Sequence, residues 1–371
     1  MAQRVVEKVL SMRFDSPRTI LHGAGCRNEL PEQARNWGSR RLLIVSDAYL
    51  VGTGILAPVV EQLNRAGIEV RIFDQVQPDP TDANVEAGRT ALLEFGADAI
   101  VAFGGGSSID CAKAIRHLEG GLPLIAVPTT AGTGSEATPV MVITDTLAGV
   151  KRMTRDPKLM PDVAIVDYEL SLTMPPALTA HVGVDTLTHG IEAYVSRRRH
   201  ALSNLAARSC IERSGRYLRR AWANGADREA REGMALAALE GGMAFGNASV
   251  ALVHGMSRPL GALFHIPHGL SNAVLLPEVT RYSYRGAEAH YAEIAAILGV
   301  APEQDAFIVW LEKLNADLEV PRLRDCCGND RERFETLIPK MAIDAIASGS
   351  PANNPVVPVA EDIANIYRAA W

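Results

Sequence analysis

Asp185 and His189 stand four positions apart in VGVDTLTHGIEAY, so a helix there puts a carboxylate and an imidazole on one face. Farther on, HGMSRPLGALFHIPHGL carries His254 and His268, fourteen positions apart, with Pro259, Gly261, Pro267 and Gly269 between and around them. Its small residues and prolines predict a turn-prone segment that holds imidazoles rather than filling a core. One carboxylate and three imidazoles suit Fe2+ or Zn2+ and leave positions open for a substrate oxygen. A single histidine is more often a satisfied structural residue than a ligand; the four residues together are what points to a metal. His181, His200, His265 and His290 lack such pairing and read as structural or surface residues.

A second chemistry lies upstream. Gly104-Gly105-Gly106-Ser107-Ser108 follows an apolar strand pattern and precedes a helix expected to open with Asp110. Glycines let a backbone approach a phosphate, and a helix N-terminus offers free N–H groups and a positive dipole. A tight strand-to-helix turn with no ligand would look the same, because the spacing is not G-x-G-x-x-G. The next apolar strand ends in PTTAGTGSE, where Thr129, Thr130, Gly132, Thr133 and Ser135 add donors. In a doubly wound sheet those two strand ends are expected to be neighbours, with a ligand outside them. Asp47, just past an earlier strand, can accept from the ribose diol of NAD and would repel the extra phosphate of NADP. It can equally cap the helix that follows it.

These side chains need elements to position them. A chain of 371 residues exceeds the usual size of one core, which predicts two domains. The first half alternates β-branched runs with helical patterns, as in RRLLIVSDAYL, EVRIFDQV, ADAIVAFGGG and LPLIAVP. That alternation predicts an α/β domain with a mainly parallel sheet covered on both faces. After Met174-Pro175-Pro176, alanine, leucine and glutamate recur at helical spacing. The boundary is therefore set between a nucleotide domain, residues 1–176, and an all-α domain, residues 177–371. Within the latter, Ala230 to Leu252 reads as one long close-packed helix.

Bulk properties narrow the class. Net charge is −6, with 47% apolar and 22% charged residues, an ordinary globular balance without a nucleic-acid footprint. The short run Arg197-Arg198-Arg199 reads as a solvated helix end or loop. Five cysteines without a C-x-x-C pair fit a reducing, cytoplasmic setting. MAQRVVEKVLSMRF disperses charge through its apolar residues, unlike a signal peptide, and the uncharged run Gly241 to Ser257 reads as a buried helix.

Taken together, GGGSSID, PTTAGTGSE, DPKLMPDVAIVD, MPPALTAHVGVDTLTHGIEAY, HGMSRPLGALFHIPHGLSNAVLLP and the closing EDIANIYRAAW resemble the iron-containing (group III) alcohol dehydrogenase family. The resemblance covers essentially the full length. It implies a Rossmann-like N-terminal domain, a helical C-terminal domain of the dehydroquinate-synthase-like architecture, and an active site in the cleft between them. It implies metal ligation, by Fe2+ or Zn2+, at Asp185, His189, His254 and His268. Cofactor contacts are implied for Gly105, Gly106, Ser107 and Asp110, for Thr129, Thr130 and Thr133, and for Lys151, with Asp47 as an NAD-preferring aspartate. The implied reaction moves a hydride between a small alcohol or hydroxy acid and NAD. A homodimer or larger oligomer is also implied, with no nucleic acid or membrane partner.

One position departs from the family pattern. Many members carry a further histidine four residues after the third ligand, where this chain has Arg258. An arginine is no base at neutral pH. Two readings stand: Arg258 faces the substrate and favours a carboxylate, or it pairs with a nearby acid and braces the loop. Four rival functions are weighed: a glycerol-dehydrogenase-like zinc enzyme, a dehydroquinate-synthase-like lyase, a maleylacetate-reductase-like enzyme, and a binding module without turnover. The four-ligand set and the intact glycine turn argue against each.

Overall fold

The computed structural model describes residues 11–371, so the signal-peptide reading of MAQRVVEKVLSMRF falls largely outside the described residues. The first half builds one sheet from β1 (Thr19–His22), β2 (Arg41–Val45), β3 (Glu69–Phe73), β4 (Ala99–Gly104) and β5 (Leu124–Pro128). Two further strands, β6 (Val140–Asp145) and β7 (Val150–Arg155), stand apart from it, and β8 (Val163–Val166) returns to complete it. The order is β1-β8-β5-β4-β2-β3, and every pair within it is parallel.

The apolar runs dictate this arrangement. In β2, Leu42 and Ile44 join a core with Leu30 and Ala34 of α1 (Leu30–Arg35) on one face. Leu43 and Val45 point to the other face, toward Val85 and Leu92. A strand buried on both sides has no reason to alternate with polar residues, which is why LLIV and AIVAFG read as continuous apolar runs. Along the chain, α2 (Ala48–Gly52) and α3 (Ala57–Arg65) follow β2, α4 (Asp82–Phe95) precedes β4, and α5 (Gly106–Leu118) follows it. The chain reverses its direction of travel between β2 and β4, and the crevice outside their carboxyl ends is where such sheets bind ligands.

The hairpin β6–β7 is the antiparallel exception in a domain that is otherwise parallel, as the expectation of a mainly parallel sheet allows. Its strands pair antiparallel from Val140↔Arg155 to Asp145↔Val150. The segment VKRMTR carries three charges and buries none of its residues, so only its pairing with β6 defines it as a strand.

From α6 (Pro176–Val195) onward the chain is helical among the described residues. The helices are α7 (Ala201–Ala223), α8 (Arg228–Ala248), α9 (Leu252–Phe264), α10 (His268–Ser283), α11 (Glu288–Ile297), α12 (Gln304–Asp317), α13 (Leu323–Cys326), α14 (Arg331–Ala347) and α15 (Ala360–Ala370). Glycines let α6, α7 and α8 approach closely. A Cβ on Gly183 would lie 2.1 Å from Leu218 of α7, and one on Gly233 would lie 2.2 Å from Tyr217.

Two expectations fail here. The run from Ala230 to Leu252 is not one helix: the chain turns at Ser249, φ 68°, and α8 and α9 meet at 104°. The same break divides the uncharged run Gly241 to Ser257. Likewise His254–Leu270 is mostly helix, with Pro259 inside α9 and only residues 265–267 between α9 and α10. Pro259 removes one backbone donor, but nearly the whole first part of α9 is buried, and that packing overrides local propensity. Among the described residues no single helix is long and apolar enough to cross a membrane, and the five cysteines are free.

Candidate metal centre and nucleotide turn

Helix α6 starts with Pro176 at its first turn, where a missing N–H costs nothing, and is almost wholly buried from Gly183 to Val195. Asp185 and His189 therefore project from one face into the protein. His254 arrives from α9 and His268 from the first position of α10. Donor atoms of Asp185, His189 and His254 all lie within 4.8 Å of one another. Asp185 Oδ1 is 3.5 Å from His254 Nε2, 3.7 Å from His189 Nε2 and 3.9 Å from His268 Nε2. Separations of that order suit donors around a cation bound at about 2.0–2.2 Å, so the set fits Fe2+ or Zn2+. The side chains of Asp185, His189 and His254 are no more than 5% exposed, whereas that of His268 is 44% exposed and marks the open side.

Electrostatics at three of the four donors agree with ligation. Burial alone would raise the Asp185 pKa, but the surrounding imidazoles outweigh it and hold the carboxyl well below its usual range. Burial pushes His189 down to about 3 and His268 down to about 4, leaving both neutral with lone pairs to donate. His254 behaves differently. Burial again opposes its charge, yet Glu192 and Asp185 prevail and lift it to about 9.

Two residues of this centre escape the sequence reading. Glu192, three positions after His189 on α6, sets its Oε2 2.6 Å from His254 Nδ1. The same carboxylate accepts from the N–H groups of Ala251 (2.9 Å) and Val253 (2.6 Å) at the start of α9. A carboxylate behind a ligating imidazole fixes its tautomer and raises its basicity. Asn272, four positions after His268 on α10, donates to Asp185 Oδ1 at 2.6 Å, with its Nδ2 3.2 Å from His254 Nε2. The available signal was spacing: both sit one helical turn beyond a predicted ligand, as polar residues in apolar surroundings.

The glycine turn forms between β4 and α5, beside the end of β5. Gly104 and Pro128 are register partners at the ends of β4 and β5, and Thr129 N–H donates to Gly104 O at 3.0 Å. Gly105 caps α5, whose first residues Gly106 and Ser107 stay partly accessible. Thr130 and Thr133 close over them: a Cβ on Gly106 would stand 2.8 Å from Thr133 Cγ2. Asp110 instead uses its oxygens within the protein, accepting from Ser135 Oγ (2.6 Å) and Val142 N–H (2.9 Å). Beside it the buried Lys113 ammonium reaches the Ser135 and Val140 carbonyls, each at 2.7 Å. Together these clamp the 129–140 loop against α5.

Asp47 stands at the carboxyl end of β2 and realises the capping reading, accepting from Leu50 N–H at 2.9 Å. Lys151 on β7 pairs with Asp79 at 2.7 Å, and its Nζ lies 3.9 Å from where a Cβ on Gly261 of α9 would be. Arg258 has no carboxylate partner among the described residues, so the acid-bracing reading is not realised. Its contacts are Ser348 O at 3.4 Å and Met153 Sδ at 3.5 Å. Of the histidines read as structural, His200 caps α7 and His290 accepts from Arg199.

The two centres touch. The hydroxyl of Thr186, next to Asp185, faces the carbonyls of Val182 (3.0 Å), Gly132 (3.2 Å) and Ala131 (3.3 Å). Gly132 packs so tightly on α6 that a Cβ there would lie 2.4 Å from Val182 Cβ. The ligand helix thus rests directly on the loop beside the glycine turn.

Comparison with known proteins gives the same picture over the whole chain. Alcohol dehydrogenase 4 of Schizosaccharomyces pombe is 37% identical over 96% of this chain and 88% of its own length. The NAD-dependent methanol dehydrogenase of Bacillus methanolicus is 36% identical, covering 96% and 99%. A solved 1,3-propanediol oxidoreductase superposes with a TM-score of 0.94 at 35% identity, over 98% of this chain and 100% of that one. Residues 17–168 match the iron-containing alcohol dehydrogenase family and residues 179–371 match the C-terminal part of the Fe-containing alcohol dehydrogenase family, so the chain belongs to the iron-containing alcohol dehydrogenases.

Proposed function

We propose that this chain is an NAD-dependent, metal-dependent dehydrogenase that interconverts a small primary alcohol or hydroxy acid with its aldehyde or oxo form. The observation that carries this reading is the convergence of His189, His254 and His268 on Asp185 Oδ1, one helix away from the glycine turn. Asp185, His189, His254 and His268 would hold the metal. When bound, that ion supplies a Lewis acid that acidifies an alcohol or polarises a carbonyl. The protein does the rest. Glu192 and Asn272 hold the donors in register, and the buried walls exclude water from all but the His268 side.

Gly105, Gly106 and Ser107 would take the pyrophosphate at the N-terminus of α5, with Thr129, Thr130 and Thr133 around it. Asp110 and Lys113 would support that loop rather than touch the nucleotide. Asp47 would accept from the adenosine ribose through the oxygen that does not cap α2, and Lys151 would reach the cofactor from β7. When bound, NAD would supply the hydride acceptor. We further propose a boundary at residues 176 and 177, the dehydroquinate-synthase-like architecture, a homodimer or larger assembly, and a cytoplasmic location. A maleylacetate-reductase-like or glycerol-dehydrogenase-like activity has no comparable support. NADH formation by iron-reconstituted protein across a panel of alcohols, before and after chelation, tests the proposal. Full activity in metal-free protein would refute it.

A further inference from the structure

Arg258 follows His254 by four residues on α9, so the two side chains rise from the same face with Cβ atoms about 5–6 Å apart. The guanidinium is half-buried, and burial works against its charge, opposed only by Glu192. Glu192 is not its hydrogen-bond partner, because that carboxylate is taken by Ala251 N–H, Val253 N–H and His254 Nδ1. The contacts Arg258 does make, a carbonyl at 3.4 Å and a thioether at 3.5 Å, leave most of its five donors unused. Its charge is felt at His268, the ligand on the open side of the metal centre, together with that of Lys151. Lys151 has Asp79 as a counter-ion; Arg258 has none among the described residues.

A half-buried guanidinium one helical turn from His254 and without a counter-ion among the described residues is costly unless an anion meets it, and its planar fork matches a carboxylate. We propose that Arg258 is the anion-recognising residue of the substrate pocket, and that the preferred substrates are short hydroxy acids, with the hydroxyl at the metal centre and the carboxylate on Arg258. This rests on the alcohol–NAD reading above. The one-turn spacing of His254 and Arg258 sets the chain between the two groups at a few carbons. In the forward direction the carbinol C–H bond breaks and its hydrogen leaves with the electron pair for NAD+. The hydroxyl proton goes to solvent, and the products are the oxo acid, NADH and H+. The carboxylate and the guanidinium are unchanged.

The test pairs γ-hydroxybutyrate with n-butanol on iron-reconstituted wild type, Arg258→Leu and Arg258→Lys. The ratio of kcat/KM for the acid over the alcohol is expected to fall by about 10–100-fold in the leucine variant, the worth of a charge-assisted contact. The lysine variant restores part of it, since a point charge lacks the fork. An unchanged ratio in Arg258→Leu overturns the proposal. Titration with unreactive butyrate and butyramide, followed by thermal shift, gives a readout independent of turnover and needs only wild-type protein. Butyrate stabilising wild type no more than butyramide also overturns it. If neither alcohol yields NADH while butyrate binds through Arg258, the dehydrogenase reading fails and the anion site stands.

Discussion

Glu192 Oε2 lies 2.6 Å from His254 Nδ1, and the other oxygen of the same carboxylate accepts from Val253 N–H at 2.6 Å. One side chain of α6 thereby fixes both the imidazole plane of a ligand and the first turn of the helix that carries it. Glu192→Gln keeps the volume but turns an amide N–H toward groups that donate. Metal affinity, measured by chelator competition, is expected to fall about 10–100-fold. The metal-free protein is expected to lose about 1–3 kcal/mol in denaturant unfolding. Unchanged affinity would mean that Glu192 serves α9 alone.

Removing the carboxylate at the centre is more severe. Asp185 is buried among three imidazoles, and Asp185→Asn takes away the one carboxylate among the four donors that would offset a divalent cation there. Metal content after gel filtration is expected to drop to a small fraction of wild type, with turnover falling by about a thousandfold or more. Chelated wild type with iron added back recovers activity; the variant does not.

Gly106 reports on the nucleotide turn. A Cβ there would meet Thr133 Cγ2 at 2.8 Å, so Gly106→Ala displaces Thr133 from the mouth of α5. NAD binding, followed by quenching of tryptophan fluorescence, is expected to weaken by about tenfold, or 1.4 kcal/mol. Metal content should not move, because the turn shares no ligand with the metal centre.

Asp47→Ser separates two roles of one residue. Serine still caps α2, which leaves stability within about 1 kcal/mol, but it removes the charge that would repel a ribose phosphate. The kcat/KM ratio of NADP to NAD is expected to rise by about tenfold or more. A flat ratio would leave Asp47 as a cap and nothing else.

The buried carboxyl of Glu136 links stability to pH. Burial raises it from an ordinary 4.5 to about 7, with Lys113 opposing the rise. Between those values the folded protein holds a proton that the unfolded chain has lost, so stability falls as pH climbs through that window. Lys113, lowered by burial to about 8 from 10.5, acts oppositely at higher pH: the unfolded chain holds the extra proton, and stability rises from about 8 upward. Glu136→Gln is expected to flatten the lower limb and raise the Tm at neutral pH by a few degrees. A melting profile over pH that keeps its slope below 7 in the variant would contradict this.

Much of the fold follows from patterns one segment long. Strands buried on both faces need unbroken apolar runs, so β2, β4 and β5 are legible in LLIV, AIVAFG and LIAVP. The helices Asp82–Phe95, Arg331–Ala347 and Ala360–Ala370 start and stop where their patterns do. The ligand pair Asp185 and His189 was legible because spacing on one helix is local geometry. The turn between α8 and α9 was not read: Ser249 adopts φ 68°, and Gly246 and Asn247 before it, which fit a turn, also occur inside an alanine- and glycine-rich helical pattern. Pro259 misled in the opposite direction, since burial of α9 outweighs one missing donor.

The sequence by itself determined which residue types could hold a metal and a dinucleotide, and which elements would carry them, because those depend on spacing within a helix or a strand end. Only the tertiary structure decided that Glu192 stands behind His254, that Asn272 reaches Asp185, that Asp110 and Lys113 brace a loop, and that Arg258 has no acid beside it. Each of those facts is a distance between segments far apart in the chain, and such distances are set by how helices and sheet pack.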